Sequence, residues 1–210
     1  MRIWILETTT SGVIGEAPRM AEKGVAAIMP ATDLGQAVNA ARRMIALADM
    51  PFQMIVVSDS LRQGFIKTLN QTAALIRPEF VAYVAQDCLA GKGWLKAAHD
   101  KLCAENKGVC AFNDGVFNGG LAQFGMVRTA FAYAHYGSGN VLFPGYHSHR
   151  ADEDLTHLAH VRNQYAYAPD ALLMEIEYRR QRPLNPADLE LYAKRKPQIY
   201  AEAGVPLKPA

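Results

Sequence analysis

Short, unbroken apolar runs alternate along this chain with longer segments whose apolar residues recur every three or four positions. Residues 25–29 (Val-Ala-Ala-Ile-Met), 52–57, 80–85 and 109–112 are runs of the first kind, the mark of strands covered on both faces of a parallel sheet. Between them, Leu34, Val38, Ala41, Ile45 and Ala48 share one helical face, followed by Ile66, Leu69, Ala73 and Ile76, then by Trp94, Leu95, Ala98 and Leu102; each has the period of an amphipathic helix. Asp33 stands at an N-cap position with Gln36 three residues on, a capping-box arrangement. The alternation predicts a doubly wound α/β sheet with helices on both faces. Upstream, residues 2–6 are strand-like and run into a polar turn at 8–12. Downstream, 151–162 carries a helical pattern, 165–168 and 171–176 suggest two strands, and Asn185-Pro186 opens a last helix that Pro197 should interrupt.

In such sheets ligands sit beyond the carboxyl ends of the strands, where strand order reverses. The residues there are Pro30-Ala31-Thr32-Asp33, Ser58-Asp59-Ser60, Gln86-Asp87 and Asn113-Asp114. No Gly-x-Gly-x-x-Gly follows the first buried strand, and no Walker-type Gly-x-x-x-x-Gly-Lys-Ser/Thr motif occurs, so glycine-rich phosphate loops are excluded. A sheet without them can hold a nucleoside diphosphate through a divalent cation gripped by carboxylates, and Asp87, directly after a strand, is placed for that.

The chain has 210 residues, with 22 Lys+Arg against 20 Asp+Glu, a balance that excludes disorder, collagen and a disulfide scaffold and suits one α/β domain. No apolar run approaches the roughly 18 residues of a spanning helix. There is no signal-peptide layout, and the three cysteines have no metal spacing, so a cytoplasmic location is expected. Charge is unevenly spread. From Gly115 to His149 the one charged residue is Arg128, yet the stretch holds seven of the 16 glycines. The segment from 178 to 210 carries seven basic residues (Arg179, Arg180, Arg182, Lys194, Arg195, Lys196 and Lys208) against three acidic ones.

Several of these segments, in order, resemble the family-2 type inverting glycosyltransferases of the GT-A fold. Residues 25–32 are similar to the family's opening strand and proline turn, 52–59 to the strand whose terminal aspartate contacts the nucleotide, and 68–74 to the helix bearing an asparagine. Residues 80–87 with Gly93-Trp94-Leu95 resemble the Asp-x-Asp strand and the helix start behind it. Residues 143–146, 151–155 and 169–171 resemble the acidic-helix region and closing strand. The likeness spans about residues 24–177 and implies a GT-A-like domain over 1–177, with 1–23 an N-terminal strand extension, and a basic helical tail over 178–210.

The resemblance implies transfer of a sugar from a nucleoside-diphosphate donor to an acceptor hydroxyl. Pro30, Ala31, Thr32, Asp59, Asn70 and Gln86 would bind the nucleotide. Asp87 would bind Mn²⁺ or Mg²⁺, with Glu175 where a metal-site histidine often stands, and Asp152 or else Asp154 would be the base. Trp94, His147 and His149 are assigned to the acceptor, whose identity stays open among saccharide, protein, lipid and nucleic acid. The first aspartate of the metal pair is replaced by Ala85, which keeps a non-catalytic GT-A-like binding protein as an alternative. A nucleotidyltransferase is the other, although residues 30–35 lack its glycine-rich basic loop. His147-Ser148-His149 followed by Asp152 does not match hydrolase zinc spacing, and the oligomeric state is not legible.

Overall fold

The structure, a computed structural model, describes residues 2–18, 24–176 and 184–206. The expected polar turn folds the chain back on itself, so that β1 (Ile3–Thr9) and β2 (Gly12–Ile14) form an antiparallel hairpin. Next come β3 (Val25–Ala31), α1 (Leu34–Leu47), β4 (Gln53–Ser58), α2 (Phe65–Ile76) and β5 (Phe80–Tyr83). Then follow β6 (Cys88–Ala90), α3 (Trp94–Ala104), β7 (Val109–Asn113), β8 (Gly125–Arg128), α4 (Thr129–Tyr136), α5 (Ala151–Val161), β9 (Tyr165–Glu175) and α6 (Pro186–Glu202).

The nine strands lie in the order β2-β1-β4-β3-β5-β8-β7-β9-β6. β1, β4, β3 and β5 are mutually parallel, and β3, buried at every residue, lies at the centre of that block. The chain leaves β3 through α1 to reach β4 on one side, then returns through α2 to β5 on the other. Right-handed crossovers in opposite directions place their helices on opposite faces. The reversal brings the loops after β3, β4 and β5 to one crevice.

Beyond β5 the sheet is mixed rather than uniformly parallel. β8 runs antiparallel to both β5 and β7, and β7 is parallel to β9. Neither β8 nor α4 is predicted by the apolar pattern, since both lie in the glycine-rich, charge-poor stretch. The two strands expected over 165–176 are one. β9 pairs with β7 through its first half and with β6 through its second, and the β7 register shifts between Ala111 and Asn113. Pro169 sits at that irregularity, where a missing N–H costs no ladder bond, and the Asn113 side-chain amide donates to its carbonyl at 2.8 Å. Pro197 does not interrupt α6, which continues to Glu202; contacts on both sides of the proline hold the helix against its low propensity. The N-cap expectation is met, with the Gln36 N–H donating to Asp33 Oδ1 at 2.9 Å. The box itself is not, because the Asp33 N–H donates to Gln86 instead.

Trp94 is completely buried under the sheet, edge-on to Phe52 and Phe112, and its indole N–H donates to the Met44 carbonyl at 3.0 Å. It ties α3 to α1 and has no surface for an acceptor, which corrects its expected role. Among the described residues no helix is long and apolar enough to cross a membrane.

Candidate active site

Two clefts meet at the carboxyl ends of the strands. One, of about 300 Å³, is lined by Pro30, Ala31, Thr32, Asp59, Gln86 and Asp87 among others. The second, of about 380 Å³, includes Tyr83, Phe117, Gln123, His149, Arg150 and Asp152 in its lining. Phe65, Ala85 and Glu175 belong to both walls, so the pair forms one groove with Glu175 at its waist.

On the first side, Gln86 fixes the loop after β3. Its Oε1 accepts from the backbone N–H groups of Thr32 (2.8 Å) and Asp33 (3.0 Å), and its Nε2 donates to Gln36 Oε1. Its amide therefore braces the cleft wall. Asp59, 4% exposed, closes the turn into α2: Oδ1 accepts from Gln63 N and the Thr8 hydroxyl, and Oδ2 accepts from Gly64 N at 2.8 Å. Gly64 needs its positive φ of 95° here, and a Cβ would come within 3.1 Å of the His147 carbonyl.

Asn70, expected at the nucleotide, is buried away from this cleft. It donates to the Leu142 carbonyl (2.8 Å) and accepts from the N–H groups of Val141 and Leu142, doing for that loop what a paired strand would do. Asn70→Ala orphans three buried backbone groups, each costing about 1 kcal/mol or more. The thermal unfolding midpoint, read by calorimetry, is expected to fall by roughly 5–10 °C.

Asp87 directly precedes β6 and Glu175 ends β9, its neighbour at the sheet edge. Cys88 pairs with Glu175 across β6 and β9, and Ile176 N donates to the Asp87 carbonyl at 3.0 Å. Glu175 Oε2 also accepts from Gln123 Nε2 at 2.6 Å. These two carboxylates are hard oxygen donors facing one cleft, of the kind Mg²⁺ and Mn²⁺ prefer. Among the described residues no group of three His, Cys, Asp or Glu side chains could hold a metal ion.

On the second side, α5 carries Asp152, Glu153 and Asp154 in its first turn, where the helix dipole favours negative charge. Their fates differ. Asp152 is half-buried in the groove wall, and burial pushes its carboxyl up to about 6, against the pull of the Glu153 and Asp152 backbone N–H groups and Arg150. Thr156 fixes this turn by donating to the Asp152 carbonyl and accepting from Ala122 N. Arg150, before the helix, holds a left-handed backbone (φ 71°) and pairs with Glu153. Asp154 points the other way and is fully buried. It accepts from the Tyr136 and Tyr146 hydroxyls at 2.8 and 3.0 Å and from Arg195 Nε at 2.6 Å. Burial first, then the Asp154 charge, pushes both tyrosine hydroxyls up, so they stay protonated donors. Asp154 therefore has no face in the groove, and of the two acids it is Asp152 that lines it.

Arg195 belongs to α6, and so does Asp188, whose carboxylate accepts from the backbone N–H groups of His147, Ser148 and His149, each at 2.8 Å. Burial opposes its ionisation, but the three N–H groups win and hold Asp188 below the usual carboxylate range. The last helix is thus a clamp on the 147–149 loop and on α5. Arg195 is spent on Asp154, with its guanidinium 3.3 Å over the Phe143 ring, rather than on phosphates. Arg179, Arg180 and Arg182 lie outside the described residues. His149 lines the groove; His147 lines a separate surface pocket with Gln63 and Lys67, which removes it from the acceptor set. Sequence reasoning missed Tyr83, Phe117, Gln123 and Arg150 as groove-lining residues; Tyr83 lies within the 80–87 strand but reads there as core, and the other three stand in no motif.

No protein-family profile matches the chain, and no curated protein matches it. Solved structures do. S. aureus TarS 1–349 in complex with UDP-GlcNAc superimposes with a TM-score of 0.60 at 16% identity, over 88% of this chain and 68% of that one. The mannosyltransferase PcManGT from Pyrobaculum calidifontis, in complex with GDP-Man and Mn²⁺, gives 0.58 at 14% identity over 92% of this chain and 68% of that one. The chain spans 59% of one TarS 1–349 structure and 40% of a longer TarS structure. The nine-stranded mixed sheet flanked by helices therefore has the fold of GT-A glycosyltransferases.

Proposed function

We propose that the protein is a glycosyltransferase that takes its sugar from a nucleoside diphosphate and transfers it to an acceptor hydroxyl with inversion. The observation that carries this reading is the continuous groove. A cleft at the strand-order reversal, floored by Pro30, Ala31, Thr32 and Asp59, opens past Glu175 onto a raised-pKa carboxylate, Asp152. The nucleotide lies against the loops after β3 and β4, with Gln86 holding that wall in place. Asp87 and Glu175 would hold Mn²⁺ or Mg²⁺, which when bound supplies neutralisation of the diphosphate charge. Asp152 accepts the proton of the attacking hydroxyl, and its position 65 residues from Asp87 in sequence but across one groove leaves the anomeric carbon between base and leaving group. The bound ligands of the two neighbours, UDP-GlcNAc and GDP-Man, support a sugar nucleotide as donor. The cysteines are all unpaired, which fits a reducing, cytoplasmic setting.

A thermal-shift series with UDP, UDP-GlcNAc and GDP-Man, with and without Mn²⁺, tests this. At ligand near 100 times Kd, stabilisation of about 2.7 kcal/mol raises Tm by roughly 5–10 °C. The metal-dependent part of the shift is expected to vanish in Asp87→Ala and to weaken in Glu175→Ala. Absence of a shift with every nucleotide refutes the assignment. Ala85, where the resemblance implies a metal-site aspartate, favours one second reading, a binding protein without turnover; it predicts the shift but no release of nucleoside diphosphate.

A further inference from the structure

One ring nitrogen of His149 is surrounded and the other is not. The Ser148 hydroxyl lies 2.8 Å from Nδ1, the backbone N–H of Asn185 is directed at the same atom at 3.3 Å, and Asp188 Oδ2 lies 4.0 Å away. A hydroxyl can donate or accept, but a backbone N–H only donates, and its hydrogen is fixed by the peptide plane. A hydrogen on Nδ1 would face that hydrogen, so Nδ1 is the acceptor and the neutral ring carries its proton on Nε2. Asp188 anchors the arrangement by taking the N–H groups of residues 147–149. Nε2 has no hydrogen-bond partner among the described residues, and the ring, about a quarter exposed, lines the same groove as Asp152.

We propose that His149 is a tautomer-locked donor that presents Nε2–H to an oxygen of the acceptor substrate, with Ser148, Asn185 and Asp188 as its positioning residues. The proposal rests on the glycosyltransferase reading and narrows its acceptor. Asp152 takes the proton of one hydroxyl while His149 donates to another oxygen of the same molecule. A polyhydroxylated acceptor, a saccharide, satisfies both at once, with one hydroxyl at Asp152 and a neighbouring one at the imidazole N–H.

Two measurements decide it. In ¹⁵N-labelled protein at about pH 8, above the usual imidazole range, long-range ¹H–¹⁵N spectra should show His149 as the Nε2–H form, its signals assigned by their loss in His149→Gln. With p-nitrophenyl glycosides as probe acceptors, His149→Asn should lose about tenfold in kcat/KM for the acceptor. KM for the sugar nucleotide should stay within about twofold, so that the loss is read on the acceptor side. His149→Gln, which keeps an N–H near the Nε2 position, should restore most of the loss. An Nδ1–H ring, or equal transfer by wild type and His149→Asn, overturns the proposal. If the wild type turns over no sugar nucleotide, the glycosyltransferase reading fails and the acceptor role with it, whereas the tautomer is still read directly from the spectra.

Discussion

Asp152→Asn is expected to lower the rate of sugar transfer by about 10²–10⁴-fold with sugar-nucleotide affinity intact. Asparagine keeps the shape of the carboxylate but cannot take a proton. The wild-type rate should also fall as pH is lowered through about 6, the value to which burial raises this carboxyl, because the base must be ionised to act; the variant's residual rate should lack that limb. Stability should move in the opposite direction. A carboxyl raised from 3.8 to about 6 on folding penalises the folded state once ionised, and the penalty is complete above about 6. At neutral pH the variant escapes it. Discounting for the partial exposure of the side chain, the gain is about 1–2 kcal/mol, or roughly 2–6 °C in Tm. A rate that survives the substitution, or a pH limb that persists in it, moves the base elsewhere.

Arg195→Met should have the largest effect on stability. It leaves the Asp154 carboxylate fully buried with two tyrosine hydroxyls and no cation, and breaking a buried pair from one side costs about 3–5 kcal/mol. Calorimetry should find Tm lower by roughly 10 °C. The double variant Arg195→Met with Asp154→Asn should recover much of that, since no charge remains to be desolvated. If the single variant melts like the wild type, α6 is not the clamp the geometry describes.

The parts of the fold with strong periodicity were legible in residues alone. β3, α1, β4 and α2 follow their apolar patterns to within a residue or two, because each element buries one regular stripe. β8 and α4 were not, since Gly125–Arg128 is four residues long and its neighbours are glycines and aromatics without a period. At the site, sequence could place Asp87 and Asp152 at a strand end and a helix start. It could not tell Asp152 from Asp154, two positions apart on one helix, because the difference lies in what each faces: a groove, or Tyr136, Tyr146 and Arg195. Trp94 and Asn70 failed for the same reason. Both are residue types that bind ligands when exposed and organise cores when buried, and local sequence carries no record of which.

The clamp made by α6 also orders the birth of the molecule. Chains emerge from the ribosome N-terminus first, so β3, α1, β4 and α2 are all available to pair before residues 186–202 exist. Until that helix arrives, Asp154 has no guanidinium and the 147–149 backbone has no Asp188 to gather it. The half of the groove formed by the loops after β3 and β4 can therefore take shape on a growing chain, whereas the half that holds Asp152 and His149 waits for its last-made support.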